Sequence, residues 1–186
     1  MKKRILGIDV DGTIVDTMEK WLDFYKNEFN SEASKEDLFI YNVSRIFPFV
    51  DYDKMREYFE RAFENIDDLK LLISKDNIRE LNSLSKKFDI YIITSTFSNI
   101  NQVKKLLDVN NIKYKSFIFV KDSDEKYKYC DILIDDKAKT IKSVVMHNKI
   151  GILYLQNWSK SELDEKIIST YTCKNWNEIL SVLKKI

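Results

Sequence analysis

Glycine and proline are scarce in this 186-residue chain, at three and one residues respectively. There is accordingly no Gly/Ser linker, no Pro-rich tract, and no boundary marked by composition. The two cysteines, Cys130 and Cys173, form neither a disulfide framework nor a zinc motif. A single histidine, His147, leaves no material for a His-based zinc site. This cysteine usage points to a reducing compartment, and the expectation is a cytoplasmic protein. No apolar run approaches the ~20 residues of a membrane span. The short N-terminal run ends in acids rather than in a cleavage site, so no signal peptide is expected. Charge of one sign is lacking too: 31 Lys and Arg face 30 Asp and Glu, for a formal net charge of +1 with His neutral. A field able to recruit a nucleic-acid polymer or an anionic membrane is therefore absent.

What remains is a chain with 44% hydrophobic and 33% charged residues, enough for a sizeable core under a well-solvated surface. Its length suits one domain, or one domain with a modest insertion. Apolar runs at residues 5–10, 90–94, 117–120, 132–134 and 150–155 read as buried strands. Helical spacing lies between or after the later ones, over residues 74–88, 100–109, 139–146 and 176–183. Strands alternating with helices predict an α/β fold with a doubly wound parallel sheet and helices on both faces. Residues 17–73 break this rhythm, with helical stretches at 17–29 and 52–64 and no convincing strand. A connection of that length exceeds an ordinary crossover. The economical division is a core of residues 1–16 and 74–186, with residues 17–73 inserted after the first strand as a small helical cap over the sheet's C-terminal edge.

Ligands bind open parallel sheets at the carboxyl ends of the strands. Three predicted strands end there in polar residues. The first runs into Asp9-Val10-Asp11-Gly12-Thr13, the second into Thr94-Ser95-Thr96, and the fourth into Asp135-Asp136. A lysine-rich loop, residues 121–128, precedes the fourth. Two carboxylates two residues apart can divide attack on phosphorus from proton transfer, and the glycine admits backbone N–H groups to a phosphate. Carboxylates gathered at one point repel each other unless a cation sits among them. An all-oxygen donor set suits Mg²⁺, with a hydroxyl and a lysine left to hold the phosphate. Each element alone has a plainer reading. Asp-Gly is ordinary turn chemistry, Thr-Ser caps helices, and Asp-Asp can be a turn and a cap. Their order and shared position at strand ends carry the functional reading.

With these motifs in place, the sequence resembles the haloacid dehalogenase-like (HAD) superfamily of phosphohydrolases over residues 1–17 and about 74–155. The resemblance implies a Rossmann-like core. It also implies Asp9 as nucleophile, Asp11 as general acid and base, and Thr94 or Ser95 with Gly12 and Thr13 as phosphate-binding groups. Lys126 is the implied catalytic lysine, with Lys128 and Lys121 as alternates. The Mg²⁺ ligands it implies are Asp9, Asp11, Asp135 and Asp136. Within the superfamily the chain is most similar to the 5'(3')-deoxyribonucleotidases. The grounds are the helical insertion after the first motif, the Ile-Ile-Thr-Ser second motif and the Asp-Ile-Leu-Ile-Asp-Asp fourth motif. Thr17 departs from the aromatic residue that family usually carries there, and Ile73-Ser74-Lys75-Asp76 lacks its Pro-Gly element.

The resulting expectation is a Mg²⁺-dependent phosphomonoesterase for nucleoside monophosphates, acting through an aspartyl-phosphate, as a monomer or homodimer. The same chemistry on a sugar phosphate or another small metabolite, and a non-catalytic phosphate-binding module, stand as alternatives. In the insertion, Tyr41, Asn42 and Phe47, with Trp21, are candidates to touch the substrate or else to form the insertion's own core. Plainer roles are expected elsewhere: a surface position for His147, a small buried filler for Cys130, a helix cap for Asp16, and packing of the last helix for Trp176.

Overall fold

The computed structural model describes residues 2–40, 42–95, 100–160, 163 and 171–186. Six strands form one sheet: β1 (Arg4–Ile8), β2 (Phe88–Thr94), β3 (Ser116–Phe119), β4 (Ile132–Asp135), β5 (Ile150–Tyr154) and β6 (Tyr171–Cys173). The order is β3-β2-β1-β4-β5-β6, and every pairing is parallel. A parallel ladder requires a crossover between strands, and among the described residues helices supply those from β1 to β2, from β2 to β3 and from β4 to β5, with a 3₁₀ segment from β3 to β4. The helices are α1 (Thr17–Phe29), α2 (Tyr52–Ala62), α3 (Lys75–Ser83), α4 (Ile100–Val109), α5 (Ala138–Met146) and α6 (Trp176–Lys185).

The strands alternate their side chains between two apolar layers, as a pleat with period two demands. Ile132, Ile134, Ile90, Ile92, Leu6 and Ile8 face one layer, packed with residues of α3, α4 and α6. Leu133, Ile93 and Leu153 face the other, closed by Ala138, Ile141 and Val144 of α5. Both sheet faces are thus covered, which explains why the strands read as unbroken apolar runs.

Two boundaries differ from the periodicity. The helical spacing over 74–88 resolves into α3, a 3₁₀ turn at Leu84–Lys86, and then β2 starting at Phe88. Phe88 is buried because it belongs to a strand. The sixth strand escapes the sequence pattern because Tyr-Thr-Cys is short and exposes two of its three residues.

Between β1 and β2 the chain forms α1, α2 and two 3₁₀ turns, Lys35–Asp37 and Val43–Arg45, around a second core. Asp16 caps α1 by accepting from the Glu19 N–H at 3.2 Å, as expected, and also pairs with Lys35. Asp51 caps α2 through the Lys54 N–H at 2.8 Å. The insertion's core is aromatic: Trp21 stacks on Tyr25 at 5.8 Å and meets Tyr58 edge-on at 5.5 Å. The segments entering and leaving the insertion run side by side. The Asp16 N–H donates to Lys70 O at 2.9 Å, and the Leu72 N–H to Ile14 O at 2.8 Å. Among the described residues no helix is long and apolar enough to cross a membrane.

Candidate active site

The strand order places a topological switch point between β1 and β4, since the chain leaves β1 toward β2 and comes back on its other side as β4. Asp9 directly follows β1, and its N–H donates to Ile134 O at 3.0 Å, so the residue stays in register with β4. The chain then turns sharply. The N–H groups of Ile14 and Val15 both donate to Val10 O, at 2.8 and 3.0 Å, and the Gly12 N–H donates to Val15 O at 2.8 Å. Gly12 takes φ +69°, which a side chain resists. Space also forbids one: a Cβ there would sit 2.7 Å from Asp136 Cγ and nearer still to its Oδ2. Glycine therefore lets the turn after β1 press against the carboxylate after β4.

Lys126 reaches the same point from a 3₁₀ segment, Ser123–Tyr129. Its ammonium is buried and lies 2.7 Å from both Asp9 Oδ1 and Asp135 Oδ2. Burial alone would lower its pKa, but Asp135 and Asp9 outweigh that and hold it above the ordinary lysine value. Lys128 instead pairs with Glu125 at the surface, and Lys121 lines a neighbouring cleft. Asp135 has both oxygens engaged, since Oδ1 also accepts from the Lys137 N–H at 2.8 Å.

Carboxylate oxygens of Asp9, Asp135 and Asp136 all lie within 4.8 Å of one another, and all three residues are buried. One buried ammonium therefore faces three buried carboxylates. Burial, opposed by Lys126 and reinforced by Asp135 and Asp11, pushes the Asp9 carboxyl up to about 7. Burial, then Asp135 and Asp9, hold Asp136 well above the usual carboxylate range, with the Trp158 N–H working the other way. A hard divalent cation would relieve this crowding, and oxygen donors at this spacing suit one.

A cleft of about 380 Å³ opens beside the cluster. Asp11, Ser95, Lys121 and Lys137 line its sheet side, and Tyr52, Met55, Arg56 and Phe59 of α2 line the other. Asp11 thus stands at the boundary between the carboxylates and the open space. Thr94 is buried at the end of β2, and Thr13 is fully buried in the turn. Tyr41 and Thr96 fall outside the described residues. Asn42 is exposed. Phe47 and Trp21 sit in the insertion's aromatic core, 5.4 Å apart, and neither lines the cleft.

The sequence reading passed over the loop after β5. Gln156 donates to Gly12 O at 3.0 Å, the Trp158 indole N–H donates to Asp136 Oδ2 at 2.5 Å, and the Ser159 hydroxyl donates to Asp136 O at 2.5 Å. A polar cluster at the end of the fifth strand was the signal, since the rule that found the other three strand ends applies equally there. Trp176 also does more than pack α6, because its indole N–H donates to Thr13 O at 3.0 Å. Cys130 is buried, with its thiol pushed up to about 12, chiefly by burial. The His147 side chain is exposed, at the end of α5.

Solved structures with this architecture are numerous. A predicted phosphatase from Clostridium acetobutylicum superposes with a TM-score of 0.66 at 15% identity, covering 100% of both chains. The HAD-hydrolase YfnB from Bacillus subtilis, bound to magnesium, gives 0.62 at 17% identity, covering 98% of this chain and 99% of that one. A predicted phosphoglycolate phosphatase from Haemophilus somnus gives 0.60 at 12% identity, covering 98% of each. At these identities the likeness shows the fold alone. No curated protein matches the chain. Residues 3–185 match the family model for 5' nucleotidase, deoxy (pyrimidine), cytosolic type C protein (NT5C). Matched over nearly its whole length, the chain belongs to this nucleotidase family of HAD-type phosphohydrolases.

Proposed function

We propose that the protein is a Mg²⁺-dependent phosphomonoesterase that dephosphorylates nucleoside monophosphates through an aspartyl-phosphate on Asp9. The observation that carries this reading is the grouping of Asp9, Asp135 and Asp136 around Lys126, with Asp11 beside them at the mouth of the cleft. Asp9 and Asp136, with Asp11 and Asp135, would hold the cation. Its chemistry there is to neutralise phosphoryl oxygens and bring them toward the nucleophile.

A free oxygen of Asp9 attacks phosphorus while the bond to the leaving alcohol breaks, and Asp11 gives that oxygen its proton. Asp11 then takes a proton from water. The water oxygen attacks phosphorus, the bond to Asp9 breaks, and phosphate and the free carboxylate are restored. Lys126 stabilises charge on the transferring group, and Thr94 and Ser95 supply donors to it, whereas the N–H groups of Gly12 and Thr13, expected from the sequence to do the same, are turned to Val15 O and Val10 O within the loop. The insertion closes the site from the α2 side, excludes water and selects the leaving group.

A panel of monophosphates tests this: nucleotides with either sugar, sugar phosphates, phosphoglycolate and an aryl phosphate, each with excess Mg²⁺. Phosphate release is expected to be fastest from a nucleotide and to vanish on chelation. Turnover confined to a sugar phosphate would move the substrate assignment while keeping the chemistry. Binding without turnover under every divalent metal would make the chain a phosphate-binding module.

A further inference from the structure

The loop after β5 makes a tight turn, in which Ser159 Oγ accepts from the Gln156 N–H at 3.1 Å and donates to Asp136 O. β5 pairs with β4 up to Leu153 opposite Asp135, so the loop begins beside the two carboxylates. From that turn the Trp158 ring packs against the insertion's aromatic core and is almost wholly buried, with its N–H edge turned to the site. Its indole N–H is 2.5 Å from Asp136 Oδ2.

Asp135 and Asp136 are therefore held in different ways. Asp135 is satisfied by an ammonium and a backbone N–H. Asp136 receives a neutral donor. An indole can only donate, so it fixes one carboxylate oxygen without adding charge, and the other oxygen stays available to a cation. A lysine in the same place would cancel the charge that attracts the cation. Hydrogen-bonded partners of this kind orient metal-ligating carboxylates and tune their affinity.

We propose that Trp158 is a positioning residue for the cation site, acting through its indole N–H on Asp136. The proposal rests on the phosphatase reading for the identity of the site, but its test is cation binding itself. Mn²⁺ binding to the intact protein is measured from the free Mn²⁺ signal in electron paramagnetic resonance, for wild type, Trp158→Phe and Trp158→His. Trp158→Phe keeps an aromatic ring in place and removes the donor. Its dissociation constant is expected to rise about tenfold or more, the usual effect of losing such a partner. Trp158→His, which keeps a ring N–H, is expected to recover part of the loss.

Should Trp158→Phe fail to fold, the wild-type protein decides. It has three tryptophans, and the assigned Trp158 indole proton is expected to shift more on Mg²⁺ addition than those of Trp21 and Trp176. A folded Trp158→Phe variant binding Mn²⁺ within twofold of wild type would overturn the proposal. So would a Trp158 indole signal unmoved by bound Mg²⁺. If the wild type binds no divalent cation, this proposal and the phosphatase reading fall together. If it binds Mn²⁺, loses affinity in Trp158→Phe and hydrolyses no phosphomonoester, Trp158 keeps its role and only the phosphatase reading falls.

Discussion

The ends of β1 and β4 and the core of the insertion are both well buried, yet they bury opposite kinds of residue. The strand ends gather three carboxylates and an ammonium, whereas the insertion gathers Trp21, Tyr25, Phe47 and Tyr58. Charges at a strand end are costly when unpaired, so their geometry is set atom by atom, down to the missing Cβ of Gly12. Ring clusters are held by area and tolerate substitution more gradually. In the proposed reaction the first region would do the chemistry, and the second supplies a platform from which α2 presents a wall to the cleft.

Substitutions that separate chemistry from platform sharpen this contrast. Asp9→Asn is expected to reduce phosphate release by more than about 10³-fold, leaving only what binding and charge stabilisation provide. Circular dichroism should show an unchanged fold, and an active Asp9→Asn protein would break the comparison at its base. Gly12→Ala should lower activity on the order of 10²-fold by displacing Asp136, and cost about 1–2 kcal/mol for the left-handed backbone. Steady-state kinetics and urea denaturation measure the two effects separately.

On the platform, Phe47→Ala should cost about 3–5 kcal/mol of stability, as large-to-small changes in packed cores do, yet leave the ranking of substrates intact. Phe59→Ala reverses that pattern. Because Phe59 lines the cleft and is only partly buried, KM for a nucleotide should rise about tenfold while kcat for a small aryl phosphate stays within twofold. If Phe47 rather than Phe59 alters the ranking, the assignment of wall and core is inverted.

The smallest expected effect concerns pH. The folded carboxyl of Asp9 stands near 7 against an ordinary value of 3.8, so between those values the folded metal-free protein binds more protons than the unfolded chain. Its stability is therefore greatest below about pH 4 with respect to this group, and falls as pH rises toward 7. Lys126 stays charged throughout this window, whereas Asp136 shifts in the same direction and adds to the loss. The melting temperature without metal should drop by at least the 2–4 °C that about 1 kcal/mol produces in a chain of this size. Excess Mg²⁺ should restore more at pH 8 than at pH 5, as calorimetry can show.

The doubly wound sheet was legible because both faces are covered, which turns each central strand into an apolar run between polar ends. The grouping of Asp9, Asp135 and Asp136 at one point was expected from the same pattern, since acids at strand ends leave a trace in the sequence order, whereas the pattern offered only a lysine-rich loop and it was the family resemblance that singled out Lys126 in it. The cleft wall was not legible. Tyr52, Met55, Arg56 and Phe59 lie on a helix whose inward and outward aromatics are chemically alike, so only packing distinguishes Tyr58, which is buried, from Phe59, which reaches the cleft. Trp158 was hidden for a related reason. A lone tryptophan after a strand reads as packing, and nothing in the sequence shows that its N–H meets a carboxylate on the neighbouring strand.

One further consequence follows from the paired segments at the root of the insertion. The chain departs at Ile14–Asp16 and returns at Lys70–Leu72, where Val15 and Leu71 form an antiparallel bridge. The ends of the excursion are thus stapled together at the sheet, and the entropy of closing it grows only slowly with its length. A change in the length of the excursion is therefore expected to leave Asp9 and Asp11 in place, because the strand ends and the bridge at its root, rather than the excursion itself, hold them.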